Sequence, residues 1–303
     1  MDNVIETKNL TKRFGGFTAV DNVSLTVGKG EIYGFLGLNG AGKTTTIRML
    51  LGMIRPTKGE CLLNGKRASG SSNNFWNSVG YLVEIPYSYP DLTVRENLEL
   101  LRHLRFIGDK KSVDRAMEFL NITRYAERRA KDLSLGNAQR LGLAKALFHN
   151  PDILILDEPA NGLDPAGIVE IRELLLDLVQ KRGATVFISS HILGEISKFA
   201  TRIGIIHEGR LLQELTADDL ERVRNKRLLV AVHDDKAAQA ALLQQGIAAR
   251  LAGEGLLEIT ADQAITNPDK INATLVKSDN VPSMVRVEEE DLESYFLRII
   301  GKN

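Results

Sequence analysis

Gly37-Leu38-Asn39-Gly40-Ala41-Gly42-Lys43-Thr44 decides how this chain folds. The run satisfies G-x-x-x-x-G-K-[S/T], the pattern of a loop that wraps phosphate. Its glycines let backbone N–H groups turn inward around phosphate oxygens, and a helix opening at the loop presents about half a positive charge there. Lys43 supplies a mobile cation for the β- and γ-phosphates of a nucleotide, and the Thr44 hydroxyl can coordinate Mg2+. Asn39, Gly40, Ala41 and Thr45 complete the wrapping. The flanks fit: Ile32-Tyr33-Gly34-Phe35-Leu36 predicts a buried strand, and Thr45 to Ile54 has helical spacing up to Pro56. A chance glycine-rich turn requires neither neighbour.

A phosphate loop needs an acid from an adjacent strand. Ile153-Leu154-Ile155-Leu156 delivers two, Asp157 and Glu158, at its carboxyl end. That is the edge at which open α/β sheets bind ligands. In this reading Asp157 holds Mg2+ through water, and Glu158 polarises the attacking water as general base. Alone, the run is an ordinary strand ending in acids; beside the loop it is the second part of a nucleotide site. Thr185 to Ile188 predicts a further buried strand, with an amphipathic helix over Ile168 to Lys181 before it. Such strands alternating with helices predict a parallel sheet covered on both faces.

Further out the pattern changes. Val4 to Phe14 and Phe17 to Val27 read as strands broken at Gly15-Gly16, and residues of about 86–150 are mainly helical, with Leu98, Leu101 and Leu104 among charged neighbours. After Thr216 the order becomes strand (Arg227 to Val232), helix (Asp235 to Gln245) and two short strands (Ile247 to Leu251, Leu256 to Thr260) around Gly253-Glu254-Gly255. A helix opening at Asn267-Pro268, with Asn267 as cap, a strand over Ser283 to Val287 and a helix over Glu288 to Ile300 follow. This β-α-β-β-α-β order is that of a small ferredoxin-like unit.

Bulk composition narrows the function classes. The 303 residues exceed one ordinary domain, and 43% hydrophobic content supports a sizeable core. With 39 basic against 39 acidic residues, a broad nucleic-acid face or a tail for anionic membranes is disfavoured, though a local patch is not. The single cysteine, Cys61, cannot form an internal disulfide, suggests a reducing compartment, and reads as a small buried strand residue. The N-terminal residues lack the layout of a secretory signal. No apolar run reaches about 18 residues, so a membrane path must come from another polypeptide.

Leu133-Ser134-Leu135-Gly136-Asn137-Ala138-Gln139-Arg140 precedes a helix to His149, Asn161-Gly162-Leu163-Asp164 follows the acids, and His191 follows the strand at Thr185 to Ser190. With the loop and acids in this order, the chain resembles the ATP-binding subunits of ABC transporters over approximately residues 4–215. The resemblance implies an α/β P-loop cassette over 1–216, built from a parallel core sheet, an antiparallel β subdomain and a helical subdomain at about 86–150. An accessory α+β domain fills 217–303. The octapeptide is similar to the family signature, LSGGQ, whose Ser134, Gly136 and Asn137 positions contact the γ-phosphate held by an opposite subunit. Read alone, Ser134 merely caps its helix. Asp164 falls in the family's D-loop, which communicates across that dimer. His191 matches the switch histidine at the γ-phosphate, Phe14 the aromatic that stacks on adenine, and Val20 a further residue at the nucleotide. The implied partners are an integral-membrane permease and a second cassette, most simply another copy, with the chain on the cytoplasmic face of the membrane.

Three positions depart from the family pattern. Glu84 stands where glutamine is usual; a carboxylate can still reach Mg2+ but adds negative charge near the γ-phosphate. Leu135 replaces the first signature glycine, and Asn137 replaces its glutamine with a shorter reach toward nucleotide or helix cap. Glu84 with Pro86 and Tyr89-Pro90-Asp91-Leu92-Thr93, together with Leu135-Gly136 and Asn161 to Gly167, is similar to bacitracin-resistance and lantibiotic-immunity ATPases. Those serve permeases that expel peptide antibiotics. An ABC-type ATPase acting on ribosomes or DNA is the alternative, set against one cassette, no heptad arm and no net basic charge. The signature, D-loop and His191 leave little room for a P-loop kinase.

Overall fold

The computed structural model describes residues 2–68, 75–84, 87–253 and 255–301. Pro86 and Glu254, named above, lie outside these. Two compact units are present, one up to Ala217 and one from Asp218.

The first unit opens with β1 (Asn3–Phe14) and β2 (Phe17–Gly28), a long antiparallel pair. β3 (Ile32–Leu36) is buried at every residue and feeds the loop and α1 (Lys43–Leu50). β4 (Lys58–Leu63) and β5 (Lys66–Arg67) join the first pair in a four-stranded antiparallel sheet, ordered β2-β1-β4-β5. Cys61 lies on β4; burial pushes its thiol up to about 12, so it is an inert core side chain. β6 (Val79–Leu82) precedes three helices, α2 (Val94–Leu104), α3 (Ser112–Phe119) and α4 (Leu135–Leu147). α2 starts on a full capping box, Thr93 accepting from Glu96 N–H while the Glu96 carboxylate accepts from Thr93 N–H.

β7 (Ile153–Asp157), α5 (Pro165–Arg182), β8 (Thr185–Ser190), a short α6 (Leu193–Ile196), β9 (Arg202–His207) and β10 (Arg210–Thr216) complete the unit. β9, β3, β8, β7 and β6 run parallel as neighbours, with β10 antiparallel at the β9 edge. Neither β9 nor β10 was anticipated from sequence: Arg202, His207 and the alternating exposure of β10 blur their periodicity. One apolar cluster joins the antiparallel sheet to the parallel one; within it Tyr33 stacks on Phe187, and Phe35 lies tilted against the same ring.

The second unit opens in α7 (Ala217–Val223), whose first residue closes the first unit. It continues through β11 (Lys226–Ala231), α8 (Asp235–Gln244), β12 (Arg250–Gly253), β13 (Leu256–Ile259), α9 (Asp262–Thr266), α10 (Pro268–Lys277), β14 (Met284–Glu289) and α11 (Leu292–Ile299). Its sheet is ordered β12-β13-β11-β14 with every pair antiparallel, over a core that includes Leu228, Val230, Leu242, Leu257, Ile271 and Leu275. Three local expectations shift. The second strand starts at Arg250, because Ile247 instead packs against the core from the turn after α8. Asn267 makes no side-chain cap; its amide donates to the Gln263 carbonyl, binding α10 to α9. The final helix begins after Asp291, which caps it by accepting from Ser294 N–H at 2.7 Å.

Candidate active site

Close packing makes the loop glycines necessary. A Cβ on Gly37 would lie 2.3 Å from the Ile206 carbonyl on β9, and one on Gly42 2.6 Å from the Ala19 carbonyl on β2. Gly42 also has φ 104°, a left-handed conformation that glycine alone adopts cheaply, and it caps α1. The loop is thus pinned between two strands with its N–H groups at a helix start.

Lys43 is only 6% exposed. Its ammonium donates to the carbonyls of Gly37 (2.7 Å) and Leu38 (3.2 Å) and lies 3.2 Å from Glu158 Oε1. Thr44 Oγ1 donates to Asp157 Oδ2 at 2.7 Å, so the hydroxyl lone pairs remain available to a cation. Hydroxyl and carboxylate oxygens are hard donors. Among the described residues no group of three or more His, Cys, Asp or Glu could form a closed metal cage. A few protein oxygens beside a phosphate loop suit Mg2+, which keeps waters and substrate phosphates in its shell.

Glu158 is held from four sides. It has φ 50°, an uncommon conformation for a side chain of this size. Its N–H donates to the Ser189 carbonyl (3.2 Å) and to Ser189 Oγ (3.1 Å), and its carbonyl accepts from Gln139 Nε2 (3.2 Å). Its Oε2 pairs with His191 Nδ1 at 2.7 Å and accepts from His191 N–H at 3.3 Å. Lys43, Thr44, Asp157, Glu158 and His191 therefore converge at the carboxyl ends of β3, β7 and β8. Ser189 and Gln139 escaped the sequence reading. Ser189 hides in an apolar strand, and its partner is set by the parallel register Asp157↔Ser189, which no local pattern reveals.

Phe14 is 51% exposed at the β1–β2 turn, with Lys12 Nζ 4.9 Å from its ring centroid, and keeps surface for a stacking partner. Val20 does not: it is wholly buried in the core with Ala41 and Ile206. The inward phase of β2 at that residue turns its side chain into the core cluster that also holds Ala41 of the loop. Glu84 has a cationic partner. Its backbone is left-handed, φ 56°, and its carboxylate accepts from Arg48 Nη2 at 2.6 Å, one helical turn along α1 from Thr44. It joins Arg48 rather than Thr44 and Asp157.

The signature residues form a second, separate face. Ser134 caps α4, its Oγ accepting from Asn137 N–H (3.4 Å) and from Asn137 Nδ2 (2.9 Å). Asp164 caps α5 by accepting from Gly167 N–H at 2.9 Å. Ser134, Gly136, Asn137, Gly162 and Asp164 line an open recess of about 980 Å³ together with Arg124. The unusual Leu135 folds over the D-loop: a Cβ on Gly162 would meet Leu135 Cδ2 at 2.3 Å.

A lysine-bearing loop, an acid pair and a strand-end histidine on a parallel sheet define a P-loop nucleotide hydrolase. Residues 20–161 match the model of the ABC transporter family. The bacitracin transport ATP-binding protein BcrA of Bacillus licheniformis is 39% identical over 99% of this chain and 98% of its own length. The lantibiotic transport ATP-binding protein SrtF of Streptococcus pyogenes is 34% identical over 75% of this chain and 98% of its own. A solved ATP-binding cassette, described as a dimeric post-hydrolysis state bound to ADP and Pi, is 26% identical. It covers 70% of this chain and 98% of that one, with a TM-score of 0.65. The chain belongs to the ABC transporter family as an ATP-binding, ATP-hydrolysing subunit.

Proposed function

We propose that this chain powers a separate membrane permease that expels peptide antibiotics of the bacitracin or lantibiotic type. The observation that carries this reading is the likeness to a bacitracin transport ATP-binding protein along the whole chain, second unit included. No helix among the described residues is long and apolar enough to cross a membrane, so the transport path belongs to the permease. The chain then works at the cytoplasmic face.

Within the site, the loop amides and Lys43 bind and orient the β- and γ-phosphates, Lys43 exchanging its carbonyl partners for phosphate oxygens. Thr44 and Asp157 would hold Mg2+, which when bound would neutralise charge on the phosphates. Glu158 takes a proton from the attacking water, and His191 at 2.7 Å orients its carboxylate. Ser134, Gly136 and Asn137 face the γ-phosphate of a second copy, so two chains complete two sites. Phe14 stacks on the adenine.

A groove of about 420 Å³ supports permease docking near Glu84 to Glu96. It is lined by Met53, Tyr81, Leu82, Glu84, Tyr87 and Leu101, together with the basic residues Arg48, Arg105, Lys145 and His149. Burial lowers the Lys145 and Arg105 pKa values, and both donate to backbone carbonyls, of Tyr87 and Trp76. Such a lining suits a short amphipathic segment. The second unit then serves to stabilise the dimer or regulate it.

Co-expression with a candidate multi-helix permease from the same host tests the reading in a bacitracin-sensitive strain. The pair raises the inhibitory concentration of bacitracin or a lantibiotic, and the pair carrying Glu158→Gln does not. Unchanged sensitivity to both peptide classes, with the two proteins co-purifying and hydrolysing ATP, overturns the substrate assignment.

A further inference from the structure

β8 is buried at all six residues, yet Ser189 places a hydroxyl in its interior with no exposed surface. A buried hydroxyl without partners is costly, so its bonds state its purpose. There are two. Ser189 Oγ donates to Asp157 Oδ1 at 2.5 Å and accepts from the Glu158 N–H at 3.1 Å. A hydroxyl carries one donor and two acceptor sites, so both form at once.

The consequences differ for the two acids. The Asp157 carboxylate, 2% exposed, has Ser189 on Oδ1 and Thr44 on Oδ2, so its plane is fixed by hydroxyls from two different elements. With that plane fixed, Thr44 keeps its proton toward Asp157 and its lone pairs toward the phosphate loop. For Glu158, the same oxygen supports a left-handed backbone from the amide side while Gln139 supports the carbonyl side. Strained backbone persists where its surroundings over-determine it. Thr185, the other polar residue of β8 besides Ser190, spends its hydroxyl elsewhere, on Gly30 N–H.

We propose that Ser189 is a positioning residue for ATP hydrolysis: one buried hydroxyl sets the metal-side acid Asp157 and the general base Glu158 in a fixed relation. It touches neither nucleotide nor metal and acts through both acids. Among the described residues, removing it leaves Asp157 Oδ1 a buried acceptor with no donor, and leaves the Glu158 amide only the Ser189 carbonyl at 3.2 Å. This rests on the roles given above to Asp157 and Glu158.

The test uses the full chain with Ser189→Ala and Ser189→Thr, and two readouts. One is steady-state hydrolysis, split into kcat and KM. The other needs no turnover: the factor by which Mg2+ strengthens binding of a fluorescent ADP analogue. Residues that orient a metal-side ligand change activity or metal affinity by about 10- to 100-fold when removed. Ser189→Ala is therefore expected to lower kcat at least about tenfold with KM within about twofold, and to shrink the Mg2+ factor several-fold while Mg2+-free binding holds. Ser189→Thr, which keeps the hydroxyl, restores both.

A Ser189→Ala protein with wild-type kcat and Mg2+ factor overturns the proposal. So does equal loss of Mg2+-free binding, which marks general damage to the fold. If Ser189→Ala does not fold, Ser189→Cys replaces it, similar in shape but a weaker donor; unchanged readouts there overturn the proposal as well. Asp157→Asn and Glu158→Gln separate the layers. Hydrolysis surviving in those variants sinks the acid assignments, whereas dead acid variants beside an intact Ser189→Ala sink the Ser189 inference alone.

Discussion

The phosphate-loop face and the signature face each sit at a helix start, α1 and α4, and use it to opposite ends. Around the loop, Lys43, Asp157, Glu158 and His191 are bonded to one another or to backbone within one chain. Asn137 and Ser134 on the signature face are satisfied by each other, as an ordinary helix cap. The first face is preorganised by an internal network; the second is a helix start with an open recess before it. A site can therefore be chemically complete on one side and receptive on the other, which is what a head-to-tail pair of chains requires.

The strongest way to break this contrast is Glu158→Gln. Loss of the general base lowers hydrolysis by at least about 100-fold, and the variant accumulates as an ATP-bound dimer on size exclusion. Normal turnover would remove Glu158 from the base role. Next comes Gly136→Asp, which puts a carboxylate into the recess. Hydrolysis falls more than about tenfold, as expected for misplacing one group at a preorganised site, while each chain still binds a fluorescent ATP analogue. Loss of monomer binding as well would mean that the two faces are not separable.

Gly162→Ala sharpens the link between signature and D-loop. Its φ of 78° and the crowding by Leu135 are both unsuited to a Cβ. A loss of more than about 1 kcal/mol in denaturant unfolding is expected, and Leu135→Gly in the same chain relieves part of it. The smallest effect concerns the far end of the signature helix. His149, just beyond α4, donates from Nε2 to the Val79 carbonyl on β6; burial, with Arg105 nearby, lowers its pKa to about 4. Because the folded value lies below the ordinary 6.5, the unfolded chain binds more protons between these limits. Its contribution is present above pH 6.5 and is lost as pH falls toward 4. His149→Gln should flatten the decline in unfolding midpoint between pH 6.5 and 5; an unchanged slope would dismiss it.

Features written as contiguous patterns were legible in the sequence. Gly37 to Thr44, the run ending in Asp157-Glu158, and Leu133 to Arg140 each carry their logic in a few adjacent residues, and the resemblance they support implies the cassette architecture. Features that depend on register or on distant charges were not. Val20 lies in a strand where inward and outward positions alternate, and one step of phase separates a core residue from a surface one. Glu84 was read against the residue type expected there, but its nearest cation, Arg48, stands 36 residues earlier. Ser189 and Gln139 meet Glu158 only through tertiary packing. In the second unit the element order was readable and the boundaries were not, since Ile247 and Asn267 take tertiary partners that local propensity does not show.

The Arg48–Glu84 pair has a mechanical meaning. Both side chains are well exposed, so the bond is cheap to break. Yet it fastens the lip of the groove to α1, a rod of eight residues, about 12 Å long. The other end of that rod is the phosphate loop. A segment pressing into the groove and a phosphate seated in the loop would meet one short stiff element at opposite ends, joined to the groove only by a bond that either could break.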